Sequence, residues 1–290
     1  MPQPPADPLP PPSLADAARP VVGPADWVPL AGGLTNRVWR IGAYAVKLYS
    51  PDRATPLFPN DPAAEWAAMT ALAPLGLAPV PHARLSGTFG EALIYRYLDG
   101  GPGPGDLPAL ARLLSRIHAT PAPAIRTLPT GSAAILAQTD RLIADLEPVP
   151  KPLSDLRNQI AALPPVPPCT PRLIHTDPVA SNIVVTPSGP VLIDWQCPAR
   201  GDPCEDLAIV LSPSMQLAYD APLTAAAAEA FLDACPEGAP VARYRRLAPF
   251  YHVRMAAYAA WSHQTGRARA GEGMALDLAA ARVALSWSEA

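Results

Sequence analysis

The chain has 290 residues, enough for two lobes with a sizeable core, and 49% of them are hydrophobic. A formal net charge of −3 leaves no electrostatic footprint for nucleic acid or an anionic membrane. No apolar run approaches the ~20 residues of a membrane span. Cys169, Cys197, Cys204 and Cys235 form no CxxC pair and fit neither a zinc site nor a dense disulfide framework, so free thiols in a reducing cytoplasm are expected.

Forty-one prolines favour short elements punctuated by turns. Residues 1–20, "MPQPPADPLPPPSLADAARP", lack the basic-then-apolar pattern of a signal peptide and read as a disordered, proline-stiffened tail. Residues 21–98 carry strand-like runs, "VWRIG", "AYAVKLYS" and "EALIYRYL", bounded by Gly, Pro or Asp. One helix interrupts them: "NDPAAEWAAMTALAPLG" has Asp61 to cap it, Pro62 in its first turn and Gly76 to stop it. After the hinge-like "DGGPGPGD" the pattern turns helical through residues 99–290. "DLPALARLLSRIHAT" sets Leu110, Leu113, Leu114 and Ile117 on one face behind Asp106 as a cap, and "GSAAILAQTDRLIADLE" repeats the spacing. Three later stretches, "PLTAAAAEAFLDAC", "ARYRRLAPFYHVRMAAYAAWSH" and "GMALDLAAARVALSWS", are also helical. The expected fold class is α+β with two lobes, a small β-rich one with one helix and a larger, mainly helical one.

The densest chemistry lies in "LIHTDPVASNIVVTPSGPVLIDW", Leu173 to Trp195. Two apolar runs flank Pro187-Ser188-Gly189, which predicts a hairpin with a three-residue loop and Thr186 opposite Pro190. That register sets Asn182 opposite Asp194 at the open end. An amide oxygen beside a carboxylate is a natural clamp for Mg²⁺, which takes one or two protein oxygens and fills its shell with phosphate and water. Asp177, five residues before Asn182, is placed to receive a proton from a substrate hydroxyl. Asp and Asn are also common turn residues, but H-x-D-x4-N followed by a hairpin and hydrophobic-Asp-aromatic points to phosphoryl transfer.

These residues resemble the catalytic core of the aminoglycoside phosphotransferase and choline kinase superfamily, the small-molecule branch of the protein-kinase-like fold. "IHTDPVASN" is similar to its catalytic loop, "LIDW" to its metal-binding segment, and "ARGDPCEDLA" to the Gly-Asp-Pro-x-x-Asp-Leu-Ala stretch that follows. The likeness runs from about residue 28 to 211 and implies a bilobal, protein-kinase-like fold. Many relatives have Gly where Thr176 stands and Leu-His-Pro-Gly where Pro178 to Ser181 stand, a departure that touches loop rigidity more than chelating atoms.

The resemblance implies that the β-rich lobe holds ATP. A GxxxxGK[ST] loop is absent. "GGLTN" matches the nucleotide loop of choline- and thiamine-kinase-like members, which assigns Gly32, Gly33 and Asn36 to it. Lys47 in "YAVKLY" would pair with Glu65 and reach the phosphates, although a lysine in an apolar strand can also be a snorkelling edge residue. Backbone groups of Arg96, Tyr97 and Leu98 would hydrogen-bond adenine.

His175 reads as structural support, Asp202-Pro203-x-Glu205 as a capped helix start, and Asp206 as a brace. The implied activity transfers the ATP γ-phosphate to a hydroxyl of a small metabolite, with ATP and Mg²⁺ as cofactors. Tyr251, Tyr258, Trp261 and Trp287 offer ammonium-binding surfaces if they are not simply core, which favours a choline-, ethanolamine- or thiamine-like acceptor. An aminoglycoside acceptor and a regulatory nucleotide-binding pseudokinase are the alternatives.

Overall fold

The computed structural model describes residues 9–30, 35–103, 106–236, 240–267 and 272–287. Along the chain run α1 (Pro12–Val22), β1 (Val28–Pro29), β2 (Arg37–Ile41), β3 (Tyr44–Leu48), α2 (Pro62–Leu72), β4 (Pro81–Gly87), β5 (Gly90–Arg96) and β6 (Gly101–Pro102). There follow α3 (Leu107–Ala119), α4 (Ser132–Ala144), α5 (Lys151–Ala161), β7 (Arg172–Ile174), β8 (Ile183–Thr186), β9 (Gly189–Leu192) and β10 (Ala199–Gly201). The remainder is helical: α6 (Cys204–Leu211), α7 (Pro213–Ala218), α8 (Ala225–Asp233), α9 (Val241–Gln264) and α10 (Glu272–Trp287). Two compact units result: residues 1–105, 122–125 and 181–198 form the first, and residues 106–121, 126–180 and 199–290 the second.

The first unit is built on an antiparallel sheet in the order β1-β2-β3-β5-β4. Side chains alternate across a strand, so Trp39, Ile41, Val46, Leu48, Ala92 and Ile94 share one face. Leu14 and Ala18 of α1 close that face, each with no exposed surface. The disordered tail expected over residues 1–20 is therefore corrected from Pro12 onward. Its apolar residues recur at helical spacing, and prolines at the start of a helix lose nothing. Among its described residues the first unit consequently has two α-helices where one was expected.

The other helix follows its sequence signals. The Asp61 carboxylate accepts from Ala63 and Ala64 N–H at 2.9 and 3.0 Å, Pro62 follows, and Gly76 ends the segment at φ +68°. In the second unit Asp106 precedes α3 without a side-chain capping bond. There α4, α5, α6 and α10 pack around α9, whose Tyr244, Leu247, Phe250 and Val253 are buried.

Two further expectations are corrected. Residues 181–198 belong with the first unit rather than with the helical region beyond residue 98. The hairpin pairs Thr186 with Gly189, and Ile183 with Leu192, around a two-residue turn, Pro187-Ser188. The Thr186 hydroxyl accepts from Ser188 N–H at 3.2 Å and donates to the Gly189 carbonyl at 2.8 Å, which tightens the turn by one residue.

Candidate active site

The shortened register moves Asn182 opposite Ile193, whose N–H donates to the Asn182 carbonyl at 2.9 Å. Asp194 then stands one residue beyond the ladder, in the left-handed region at φ +63°. That conformation is uncommon outside glycine, and Asp and Asn tolerate it best. The chain therefore turns at Asp194, and both oxygen-bearing residues remain at the open end of the hairpin. Trp195, fully buried, donates its indole N–H to Leu192 O at 2.9 Å and fixes the exit from that turn.

Lys47 lies on β3, between β2 and β5, on the face opposite Val46 and Leu48. At 2% exposure it is no snorkelling edge residue. Its ammonium donates to Glu65 Oε2 at 2.5 Å and to Asp194 Oδ1. A buried ammonium is tolerated only with paired charge. Burial disfavours the charged form here, but the Asp194 and Glu65 carboxylates outweigh it and hold Lys47 above the ordinary lysine range. Burial pushes the Glu65 carboxyl up, against the pull of Lys47. The expected Lys47–Glu65 pair thus forms, and Asp194 joins it.

Two residues that sequence reading passed over complete this cluster. The Tyr49 hydroxyl donates to Glu65 Oε2. Gln196 ties the segment after Asp194 to α2: its carbonyl accepts from Asp61 N–H at 2.9 Å, and its Oε1 from Asn36 at 2.5 Å. Asn36 also exchanges hydrogen bonds with Asn60 and accepts from Ser50 N–H at 3.0 Å. Asn36, expected in the nucleotide loop, has its amide engaged as a brace behind Asp194. The spacing Lys47–Tyr49 was the available signal, since residues two apart share a strand face. Nothing local marks Gln196.

Gly32 and Gly33 lie outside the described residues. Of the expected adenine segment, Arg96 N–H donates to Val80 O at 2.8 Å and Tyr97 N–H to Ala43 O at 3.0 Å. Both donors are used at the end of the sheet, on residues that flank its strands, and the Arg96 guanidinium lies over the Tyr44 ring.

Asp177 belongs to the second unit, in the loop after β7, at 6% exposure. Its N–H donates to His175 Nδ1 at 3.2 Å, so His175 supports the loop as expected. The loop is braced from α6: the Asp206 carboxylate accepts from His175 N–H at 3.0 Å and from Thr176 N–H at 2.7 Å, and it contacts His118 Nε2 at 2.9 Å. Thr176 sits at φ +70°, a left-handed backbone that glycine would adopt without strain. Asp202 accepts from Cys204 N–H at 3.1 Å and from the Arg243 guanidinium at 2.7 Å. Glu205 does not close a capping box: it is held by Arg254 through both Nη atoms at 2.9 and 2.7 Å.

The donor set fits a hard cation. Among the described residues no group of three His, Cys, Asp or Glu is arranged to hold a metal. An amide and a carboxylate oxygen at one hairpin end match an ion that completes its shell with phosphate and water. Asp194 keeps 26% of its side chain exposed, unlike its buried partners Lys47 and Glu65.

The phosphotransferase enzyme family model matches residues 26–250. A probable ketoamine kinase of Thermus thermophilus is 39% identical over 105 residues, covering 36% of each chain, so the chain spans about a third of that relative's length. A choline/ethanolamine kinase family protein from Mesorhizobium loti shares the fold at 17% identity and TM-score 0.66, over 96% of this chain and 93% of that one. Spectinomycin phosphotransferase in complex with ADP and spectinomycin does so at 11% identity and TM-score 0.59, over 98% and 99%. No helix of the described residues is long and apolar enough to cross a membrane. The chain, read first from its hairpin and its buried lysine, belongs to the phosphotransferase enzyme family.

Proposed function

We propose that the chain transfers the γ-phosphate of ATP to a hydroxyl of a small metabolite. The observation that carries this reading is Lys47, buried in the middle of a sheet and held by Glu65 and Asp194. A structural lysine gains little from such a site, whereas phosphoryl transfer needs a fixed cation against non-bridging oxygens. Asn182 and Asp194 would hold Mg²⁺, which neutralises phosphate charge when bound. Asp177 orients the acceptor hydroxyl and takes its proton. With the Arg96 and Tyr97 amides committed, Leu98 N–H is the donor of that segment left to address adenine. The ADP-bound relative supports nucleotide use.

The ketoamine kinase relative, 39% identical over 105 residues, makes a ketoamine the first acceptor to test. The aromatic argument for choline, ethanolamine or thiamine is weaker than the sequence implied. Arg254 lies over the Tyr251 ring at 4.9 Å, Arg267 over Trp261 at 5.4 Å and Arg245 over Trp287 at 5.4 Å. Tyr258 stacks on Trp261 with centroids 5.8 Å apart. Three of the four rings thus already meet an arginine of the chain itself.

The test is ATP turnover, with Mg²⁺, against ketoamines, amino alcohols, thiamine and aminoglycosides, preceded by thermal denaturation with and without Mg-ATP. Stabilisation by Mg-ATP and turnover with one acceptor class are expected. Absence of both sinks the reading.

A further inference from the structure

Glu65 is 1% exposed, yet its oxygens are unequally loaded. Oε2 accepts from Lys47 at 2.5 Å and from the Tyr49 hydroxyl, while the buried Oε1 accepts no hydrogen bond from the described residues. The last torsion of a glutamate is broad, so with Lys47 as its sole donor the carboxylate could rock between its two oxygens. A second donor on Oε2 removes that freedom. Tyr49 supplies it from two residues beyond Lys47, where its N–H extends the ladder to Glu91 O at 3.0 Å. Its ring lies 5.0 Å from the Lys47 ammonium, so one residue touches both members of the pair. Burial and the adjacent Glu65 carboxylate hold the phenol well above its ordinary range and keep it a donor.

We propose that Tyr49 is a positioning residue that fixes Glu65 on Lys47 and thereby sets the affinity for nucleotide, an inference that rests on the ATP-dependent reading above. In the structure the ammonium spans Glu65 and Asp194. Once it turns to phosphate oxygens, the Asp194 bond is given up and Glu65 becomes its remaining carboxylate anchor. A Glu65 already pinned by Tyr49 keeps the lysine aimed, and an unpinned one follows it.

The experiment is calorimetric titration of the full chain with Mg-ATP. Tyr49→Phe keeps the ring and removes the donor. It should weaken Mg-ATP binding about tenfold and also lower the nucleotide-free melting temperature, because the same buried hydrogen bond to a charged group is present without nucleotide. In a Glu65→Leu background, where the hydroxyl has no acceptor, adding Tyr49→Phe should change affinity by no more than about twofold. Unchanged affinity in Tyr49→Phe beside a parent chain that binds Mg-ATP overturns this inference alone. An equal loss in the Glu65→Leu background also overturns it, because the effect would then be packing. A parent chain that binds no Mg-ATP overturns the phosphotransfer reading together with it.

Discussion

In the second unit Asp206 receives two backbone N–H groups and contacts a histidine, and Arg254 holds Glu205 through both Nη atoms and Gln138 through one. In the first unit Glu65 leaves one oxygen without a hydrogen bond among the described residues, and Asp194 keeps about a quarter of its side chain in solvent. Buried charge is costly in both places. Where the carboxylate is saturated it acts as a brace that fixes backbone. Where it is underused, the proposed exchange of one lysine partner for a phosphate oxygen would leave the surrounding fold intact.

That contrast can be broken by substitution. The largest effect should come from Glu205→Ala, which strands Arg254 at 3% exposure and should cost about 3–5 kcal/mol in chemical denaturation. Replacing both partners, Glu205→Leu with Arg254→Met, should cost much less, and an equal loss would mean that the pair is more than a brace. Next, Asp177→Asn should lower turnover at least about a hundredfold, close to 2.7 kcal/mol of barrier, with Mg-ATP affinity retained. Undiminished turnover would remove Asp177 from the chemistry. Asp206→Asn turns one acceptor oxygen into a donor facing a loop N–H or His118. It should destabilise the fold by about 1.5–3 kcal/mol, seen as a lower denaturation midpoint. The smallest effect should be a gain. Thr176→Gly relieves a left-handed conformation at φ +70° and should stabilise by about 0.5–1 kcal/mol; a loss would show that the threonine side chain does more than tolerate its backbone.

Much of this was legible because local rules carried it. The α2 start at Asp61-Pro62 and its stop at Gly76 depend on backbone chemistry within a few residues, whereas the Lys47–Glu65 pair was implied by the family resemblance. The hairpin was legible but not its register, because Thr186 spends its hydroxyl inside the turn and shortens the loop by one residue. Asn36 was assigned to nucleotide on its place in "GGLTN", whereas its partners Gln196 and Asn60 are 160 and 24 residues away and belong to no motif. His118 reaches Asp206 across 88 residues, and a histidine at the end of an amphipathic helix announces no such partner. Long-range polar pairs leave no local pattern, whereas the helix at Pro12–Val22 does have one, in apolar spacing beneath a proline-rich composition.

The helix at Pro12–Val22 bears on how the protein should be handled. Its Leu14 and Ala18 lie against the sheet face carrying Trp39, Ile41, Val46 and Ile94. A chain begun near residue 23, trimmed as though the proline-rich start were dispensable, would leave those side chains wet. Aggregation during purification would then follow from a missing lid on the sheet.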